Sequence, residues 1–316
     1  MQNRLADVSA HARRELSKVI VGQQEALDLL LLTLVCGGHA LIEGVPGVAK
    51  TLAVRTLAQL LQVRFQRVQC TPDLMPGDIV GTSIFNIATS QFVWRQGPVF
   101  TDLLLVDEIN RMPPRTQAAL LEAMEERQVT VDGTTHPLSP AFAAFATQNP
   151  VEFEGTYPLP EAELDRFLVK IRFGYPAAEE EELILSRYQG GFDARALERL
   201  HLERLPAGAL EDARRDVAAV RVEPPMIGYI STIARRTREW PALTLGASPR
   251  ATVSLLQMSK AFAAMEGREY LLPDDVKMAA VPVLRHRLVL KPEADIEGLT
   301  ADQVLADVVA SVEVPK

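Results

Sequence analysis

A lysine and a threonine that follow a glycine-containing turn are the residues of this sequence that most clearly indicate chemistry. They are Lys50 and Thr51, in the segment IEGVPGVAKTL over residues 42–52. An apolar run, HALIE, precedes the turn, and a helical pattern, KTLAVRTLAQLL, follows it. A strand, a glycine turn and a helix that opens with Lys-Thr form the arrangement that holds phosphate groups. The segment therefore predicts a phosphate-binding loop.

The predicted loop would bind the phosphates of a nucleotide through its backbone N–H groups and through the N-terminus of the helix. The ammonium group of Lys50 would neutralise the β- and γ-phosphates, and the hydroxyl of Thr51 would be a ligand of Mg²⁺. The residues predicted to bind the nucleotide here are Gly44, Val45, Pro46, Gly47, Val48, Ala49, Lys50, Thr51 and Leu52.

The loop departs from the usual pattern G-x-x-x-x-G-K-[ST] at one position, because Ala49 stands where glycine is expected. If the loop wraps as usual, this position needs a left-handed backbone, which costs an alanine about 1–2 kcal/mol. A bound polyanion and the surrounding structure can offset that cost. The alternative interpretation is an ordinary helix N-terminus with an incidental lysine.

A pair of acids at the end of an apolar run is the second chemical signal. The run is LLLVDEIN, and the acids are Asp107 and Glu108. A nucleotide-hydrolysing site needs one acid for the Mg²⁺ shell and a base that polarises the attacking water. We assign the metal role to Asp107 and the base role to Glu108. The alternative is a polar strand end that caps the next helix.

Short apolar runs alternate with helical patterns over the first 175 residues. The runs are HALIE, VRFQRVQ, DLLLVDEIN, AFAAFATQN and RFLVKIRF, and they predict a parallel sheet covered by helices on both faces. Residues 81–96 and 127–138 alternate like hairpins, the second with Asp132-Gly133 at its tip. After about Tyr175 the strands stop. The predicted organisation is an α/β domain over residues 1–175, a partly helical linker over 176–221 and a smaller all-α domain over 222–316.

The composition predicts a globular protein without a membrane span. The 33 basic and 41 acidic residues among 316 give a net charge of −8, which does not favour an extended nucleic-acid surface. Two cysteines do not make a disulfide framework or a metal site, and the longest apolar stretch is too short to cross a bilayer. The N-terminal segment, MQNRLADVSAHARREL, lacks the apolar core of a signal peptide. We expect a cytoplasmic protein.

Five motifs together resemble those of the AAA+ ATPases of the MoxR family. They are GVPGVAKT, LLLVDEINR, PPRTQAALLEAMEE, ATQNP and LPEAELDRF, and the resemblance extends from VIVGQ at residue 19 to SPRA and the helices after it. Alanine before the lysine is familiar in loops of this family. The resemblance implies an AAA+ P-loop core with a parallel five-stranded sheet, followed by a smaller all-α lid domain.

The resemblance also implies roles for residues outside the phosphate-binding loop and the Asp107-Glu108 pair. Asn149 matches the sensor 1 position, which would orient the lytic water, and Arg166 matches an arginine finger that reaches the neighbouring subunit. Arg111 and Arg115 remain alternatives for the finger. Arg250 matches sensor 2, and ATP would sit between the α/β domain and the lid. Three further residues resemble the stretch that packs on adenine: Ile20, Val21 and Gly22.

The function implied by the resemblance is ATP hydrolysis at subunit interfaces, driving chaperone-like remodelling of partner proteins. Head-to-tail contacts predict a closed ring, which we expect to be a hexamer. A partner with a von Willebrand factor A domain is expected. Three alternatives stay open: a chelatase-type motor subunit, a nucleic-acid motor of the same superfamily, against which the net charge speaks, and a scaffold that binds ATP without hydrolysing it.

Overall fold

The structure is a computed structural model that describes residues 4–149 and 155–315, apart from the side chain of Glu198. The predictions extend over some residues outside the described ranges. These are residues 1–3 and 150–154 of the predicted first domain, which include Pro150 of the ATQNP motif, and residue 316 of the predicted third.

The N-terminal half alternates helices and strands. Its elements are α1 (Arg4–Leu16), α2 (Gln24–Val35), β1 (Ala40–Gly44), α3 (Lys50–Leu61), β2 (Phe65–Gln69), α4 (Pro76–Val80), β3 (Gly81–Asn86), β4 (Gln91–Gln96), β5 (Leu103–Asp107), α5 (Pro114–Glu126), β6 (Gln128–Val131), β7 (Thr134–Pro137), β8 (Ala143–Gln148), α6 (Glu161–Leu164) and β9 (Val169–Phe173).

The second half is mostly helical. Its elements are α7 (Ala178–Gln189), α8 (Ala209–Ala219), α9 (Pro224–Arg238), β10 (Leu243–Leu245), α10 (Pro249–Met265), α11 (Pro273–Leu284), β11 (Val289–Leu290), α12 (Pro292–Ile296) and α13 (Ala301–Ser311). Short 3₁₀ turns lie at Ile109–Arg111 and Leu197–Arg199.

Five strands form one parallel sheet in the order β2-β5-β8-β1-β9, which confirms the predicted α/β fold with a parallel five-stranded sheet. Parallel strands end at the same edge of a sheet, so the loop after β1, the acids at the end of β5 and the residue after β8 meet there. The strand order therefore brings together motifs that lie about a hundred residues apart in the chain.

The sheet is covered on both faces, as the unbroken apolar runs require. On one face Ile42, Leu105 and Phe145 belong to a large core that also contains the buried side chains of α1 to α3 and α8 to α11. On the other face Leu41 and Leu104 pack in a second core with buried residues of α5. Successive strand residues point to opposite faces, which is why neighbours such as Leu41 and Ile42 enter different cores.

The two predicted hairpins are confirmed. β3 pairs with β4 and β6 pairs with β7, both antiparallel. Asp132 and Gly133 connect β6 to β7 with φ values of 49° and 77°, the two positive values of a type I′ turn. The hairpins also contact each other, because the Trp94 ring stacks on His136 at 3.7 Å between centroids.

The prediction that strands stop after about Tyr175 is wrong for one small ribbon. β10 and β11 pair antiparallel within the C-terminal helical region. Segments of three and two residues are too short to show an alternating pattern. Within the predicted linker, α8 packs against α1, α2 and α10. The boundaries of the three segments stay a prediction. Among the described residues, none of the helices has the length and apolar character needed to cross a membrane.

Candidate active site

The glycine turn and the first residues of α3 form a compact loop around the Lys50 side chain. Ala49 has φ 65° and ψ 20°, the left-handed conformation that the sequence predicted for it. Lys50 is the first residue of α3, and its ammonium group donates to the carbonyl oxygens of Gly44 and of Val45, the latter at 2.9 Å. These contacts hold the lysine beside the helix N-terminus, where backbone N–H groups attract anions.

A cavity of about 350 Å³ opens between this loop and the ends of β5 and β8. It brings together nine of the predicted residues, among them Lys50, Thr51, Asp107, Glu108 and Asn149. The hydroxyl of Thr51 lies 3.4 Å from Oδ2 of Asp107. The cavity is also lined by Pro46, Gly47, Ala49, Leu52, Thr147 and Gln148.

Asp107 is almost fully buried and is held by two neighbouring strands. On one side the Thr147 hydroxyl, from β8, donates to Oδ1 at 2.6 Å. On the other side Arg67, from β2, donates to Oδ2 from Nη2 at 2.6 Å and from Nε at 3.1 Å. A buried carboxylate needs such partners, because burial of an unpaired charge costs several kcal/mol.

Glu108 follows β5 in a left-handed conformation, with φ 61°. Its backbone N–H donates to the Thr147 hydroxyl at 2.9 Å. Its carboxylate accepts from Gln69 Nε2 at 2.9 Å and from Arg111 Nη1 at 3.2 Å. The Thr147 hydroxyl thus contacts both acids: it donates to the Asp107 carboxylate and accepts from the backbone N–H of Glu108.

The buried thiol beside these acids does not contribute a nucleophile. Burial, reinforced by the charges of Asp107 and Glu108, raises the pKa of Cys70 to about 12. A thiol with such a pKa is neutral at pH 7, and only the thiolate is nucleophilic.

The donor set of the smaller cavity fits a hydrated Mg²⁺ ion bound to a triphosphate. Mg²⁺ prefers oxygen ligands, keeps several waters and binds through one or two carboxylates together with phosphates. Thr51 offers a hydroxyl, Asp107 a carboxylate, and Lys50 a positive charge for the phosphates.

A second, larger cavity of about 430 Å³ adjoins the first, and Pro46, Gly47, Ala49 and Leu52 line both. Ile20, Val21 and Val48, all predicted to bind the nucleotide, line it from one side. Its other wall comes from α7 and its flanks: Tyr175, Ile184, Leu185, Tyr188 and Phe192. A mostly apolar cavity beside a phosphate loop suits the flat ring of a nucleobase.

Gly22 does not line either cavity, although the sequence grouped it with Ile20 and Val21. Its φ is 67°, and a Cβ added there would lie 2.4 Å from the Glu180 carboxylate. The positive φ favours glycine here, whereas the flexible end of the Glu180 side chain could move aside for a Cβ. Helices after residue 222, the predicted lid, supply none of the residues described as lining the two cavities; α7 covers the larger one instead.

The two arginines carried over from the resemblance lie away from both cavities. Arg166 Nε is 3.2 Å from Oε2 of Glu125, and Arg250 donates to Oε1 of the same carboxylate. Arg115 is exposed on the first turn of α5, whereas Arg111 contacts Glu108. The structure thus brings Arg166 and Arg250 together, but on another surface of the chain.

A buried network fixes the segments that carry these two arginines. Arg287 donates to Asp165 Oδ1 at 2.6 Å and to the Phe167 carbonyl at 2.7 Å. Ser248, the N-cap of α10, donates to Asp165 Oδ2 at 2.8 Å. Arg166 and Arg250 therefore stand next to residues that are anchored to one another across two elements.

Several residues of the site were not predicted from the sequence. Arg67 and Gln69 alternate on VRFQRVQ and reach the acids only because β2 lies beside β5. Polar residues at alternate positions of a strand were the available signal. Glu125 and the apolar residues of α7 gave no signal of their own, since each matters only through contacts distant in sequence.

Comparisons with known proteins agree with this geometry. The family model for ATPases associated with various cellular activities (AAA) matches residues 39–169, and an AAA lid domain model matches residues 235–308. Chaperone MoxR1 of Mycobacterium tuberculosis is 41% identical over 96% of this chain and 81% of its own. Protein MoxR of Methylorubrum extorquens is 30% identical over 97% and 94%. The chain belongs to the MoxR family of AAA+ ATPases.

The fold comparison supports the same family assignment. A solved structure of a candidate ATPase from Cytophaga hutchinsonii matches with a TM-score of 0.87, 39% identity and 98% coverage of both chains. An uncharacterised Bacillus subtilis protein, YeaC, is 44% identical over 99% of this chain and 97% of its own. As a member of the MoxR family, this protein is an ATPase with a mixed α/β AAA+ core.

Proposed function

We propose that this MoxR-family protein binds ATP in the two adjoining cavities and hydrolyses it at interfaces between subunits of a ring, driving chaperone-like remodelling of partner proteins. One observation carries the proposal: Lys50, Thr51, Asp107 and Glu108 converge on one cavity, beside a mostly apolar cavity of about 430 Å³. An ordinary helix N-terminus with an incidental lysine would not place a hydroxyl and two carboxylates around the same cavity.

Each residue of the smaller cavity has a distinct role in this proposal. Lys50 and the N–H groups at the start of α3 bind the phosphates, and Asn149 orients the attacking water. Glu108 accepts a proton from that water. Its contacts with Gln69 and Arg111 keep the carboxylate aligned. Thr51 and Asp107 hold Mg²⁺, which when bound neutralises charge on the phosphates.

Arg166 and Arg250 act on the neighbouring subunit. Both lie away from the cavities of their own chain, and both are anchored through Asp165, Ser248 and Arg287. A pair of guanidinium groups that shares one carboxylate retains most of its ten N–H donors for an anion. Contacts of one face with a different face of the next copy generate a ring when they close, and we propose a hexamer.

The partner is proposed to be a protein with a von Willebrand factor A domain. A chaperone-like role is supported by the name of the Mycobacterium tuberculosis relative, Chaperone MoxR1. The β3–β4 hairpin exposes apolar side chains, with Phe92 73% and Ile87 85% exposed. Such side chains suit contacts with a client protein.

Nucleotide binding is tested with Lys50→Ala. We expect the variant to fold but to lose the thermal stabilisation that ATP gives the wild type, because the phosphates lose their cation. The measurement is the melting temperature with and without ATP and Mg²⁺. Lys277→Ala, which removes an exposed lysine of α11, is the matched control and should keep the full shift. An ATP-dependent shift in Lys50→Ala equal to that of the control would overturn the binding site.

Hydrolysis is tested with Glu108→Gln, which preserves the shape of the side chain but cannot take a proton. We expect turnover to fall by about 10²- to 10⁴-fold, while the ATP-induced thermal shift is retained. Steady-state phosphate release measures the first and thermal unfolding the second. Glu126→Gln, on α5, is the control and should leave turnover unchanged. Equal turnover of wild type and Glu108→Gln would refute the assigned base.

A further inference from the structure

An ion pair between β2 and β5 involves Asp107, the carboxylate that we propose as a ligand of Mg²⁺. Arg67 lies on β2 directly beside β5, and its guanidinium group binds Asp107 through two nitrogens, at 2.6 Å and 3.1 Å. The arginine also donates to the Gln69 side chain at 2.7 Å. Arg67 is thus a cation in direct contact with a predicted metal ligand.

Oδ2 of Asp107 is the oxygen for which Arg67 and a metal ion would compete. Both nitrogens of Arg67 bind this oxygen, and the same oxygen faces the Thr51 hydroxyl at 3.4 Å. The other oxygen, Oδ1, is occupied by the Thr147 hydroxyl at 2.6 Å. A divalent cation held between Thr51 and Asp107 would therefore meet a carboxylate oxygen that a guanidinium already occupies.

Strand pairing does not require the Arg67–Asp107 contact. The backbone register of β2 with β5 runs over five residue pairs, from Phe65 with Leu103 to Gln69 with Asp107. The Arg67 side chain is 48% exposed, so solvent screens the pair in part, whereas Asp107 is buried and relies on Arg67 and the Thr147 hydroxyl as its partners. The arginine instead neutralises a buried carboxylate at the position where the site needs a free one.

We propose that Arg67 is the counter-ion of Asp107, and that it opposes Mg²⁺ binding both by its contact with Oδ2 and by like-charge repulsion. Arg67 therefore sets the Mg²⁺ concentration at which the nucleotide site fills. This inference rests on the proposed ATP site and adds to it a positioning residue that tunes metal affinity.

The test compares Arg67→Gln with wild type in the presence of saturating ADP. Mg²⁺ is titrated, and the melting temperature and the bound Mg²⁺ are followed at each concentration, so that the readout does not depend on turnover. We expect the midpoint to fall by about ten-fold in Arg67→Gln, because a unit charge a few ångströms from a divalent ion is removed. Arg67→Lys keeps the charge but loses the two-nitrogen contact with Oδ2, so its midpoint should lie between those of wild type and Arg67→Gln.

Arg64→Gln is the matched control, because it breaks the other Arg–Asp pair between the same strands. Arg64 binds Asp102 at 2.9 Å where β5 begins, at the opposite end from Asp107. Its Mg²⁺ midpoint should equal that of wild type. If Arg67→Gln folds poorly, the midpoint of Arg67→Lys against Arg67→Met at low temperature gives the same comparison.

Two results would overturn the inference. An unchanged Mg²⁺ midpoint in Arg67→Gln would mean that the arginine and the metal do not compete. A raised midpoint would mean that Arg67 orders Asp107 for the metal. Failure of the ATP site itself has a different signature, namely a Lys50→Ala variant with an undiminished nucleotide shift.

Discussion

At the scale of single residues, the most unusual feature of the loop is the left-handed backbone of Ala49. With φ 65° it lies in a region that costs an L-residue about 1–2 kcal/mol and that glycine occupies freely. The wrapped loop keeps the strain because Lys50 bonds the carbonyls of Gly44 and Val45 and pulls the turn closed. Strain of this kind is often retained at binding sites.

The backbone strain at Ala49 can be measured by substitution with glycine. We expect Ala49→Gly to leave the free energy of unfolding unchanged or to raise it by up to about 1 kcal/mol, since relief of strain offsets the greater entropy of the unfolded chain. Ala53→Gly, in the buried interior of α3, is the opposite control and should cost about 1 kcal/mol or more. Urea denaturation measures both. Equal destabilisation by the two substitutions would show that Ala49 carries no strain.

The residues of the phosphate-binding loop and of the acidic strand end could be predicted from the sequence because their signals are local. Lys50-Thr51 follows a turn, and Asp107-Glu108 ends an apolar run, so each motif carries its own context. Arg67 had no such context. Its importance depends on β2 lying beside β5, and the order of strands in a parallel sheet is not visible in any single segment.

At the scale of elements, His39 connects three parts of the core. It precedes β1, its Nδ1 accepts from the backbone N–H of Ala144 on β8, and its Nε2 donates to the Met124 carbonyl on α5. The backbone N–H can only donate, so Nδ1 must be unprotonated. Burial, together with the charge of Arg127, lowers the pKa of His39 to about 4.

The low pKa of His39 predicts that the protein loses stability in mild acid. The unfolded histidine titrates near 6.5, so between about pH 6.5 and 4 the unfolded chain binds more protons than the folded one. The contribution of neutral His39 is therefore complete above about pH 6.5 and is lost as the pH falls towards 4, by at most about 3 kcal/mol. Burial lowers the pKa of His286 as well, which adds a change of the same sign.

The measurement is the free energy of unfolding against pH, by urea denaturation between pH 7.5 and 4.5. His39→Gln should be less stable at pH 7.5, but its slope should be flatter by up to one proton, about 1.4 kcal/mol per pH unit. His201→Gln, which replaces an exposed histidine, should retain the slope of the wild type. Identical slopes in all three proteins would contradict a buried neutral His39.

Element boundaries show where local patterns stop being informative. Four strands of the sheet were predicted from apolar runs, and β2 from the alternation of VRFQRVQ. The position of α7 over the larger cavity was not, since α7 buries none of its residues and reads as an ordinary acidic surface helix. Its apolar side chains acquire a role only when the chain returns after β9 and places them opposite Ile20 and Val21.

At the scale of the whole molecule, the residues of the proposed site fall into two groups that lie apart within one chain. Lys50, Thr51, Asp107 and Glu108 line the smaller cavity, whereas Arg166 and Arg250 contact Glu125 and are not among its described lining residues. One core runs from the face of the sheet into α8 to α11, and Arg287 links α11's end to the segment that carries Arg166. A shift of the sheet or of α11 would therefore be transmitted to the surface that carries Arg166, which we propose to contact a neighbouring subunit.

Action of Arg166 in trans is tested by mixing two inactive variants. Arg166→Ala should retain ATP binding and lose about 10³- to 10⁵-fold in turnover, as for other arginine fingers. Mixed with Glu108→Gln, it should regain activity, because its own intact cavity receives Arg166 from the other variant. When the two variants assemble at random in equal amounts, about a quarter of the heterologous interfaces pair an intact cavity with an intact Arg166.

The control for the mixing experiment is Glu108→Gln with Lys50→Ala. Both substitutions damage the cavity itself, so no interface in that mixture is complete and no activity should return. Recovery only in the first mixture requires that Arg166 serve the neighbouring chain, because an arginine acting within its own chain leaves every site defective at every ratio. Absence of recovery in both mixtures would therefore place Arg166 outside the trans role and leave Arg115, on the exposed first turn of α5, as the arginine to substitute next.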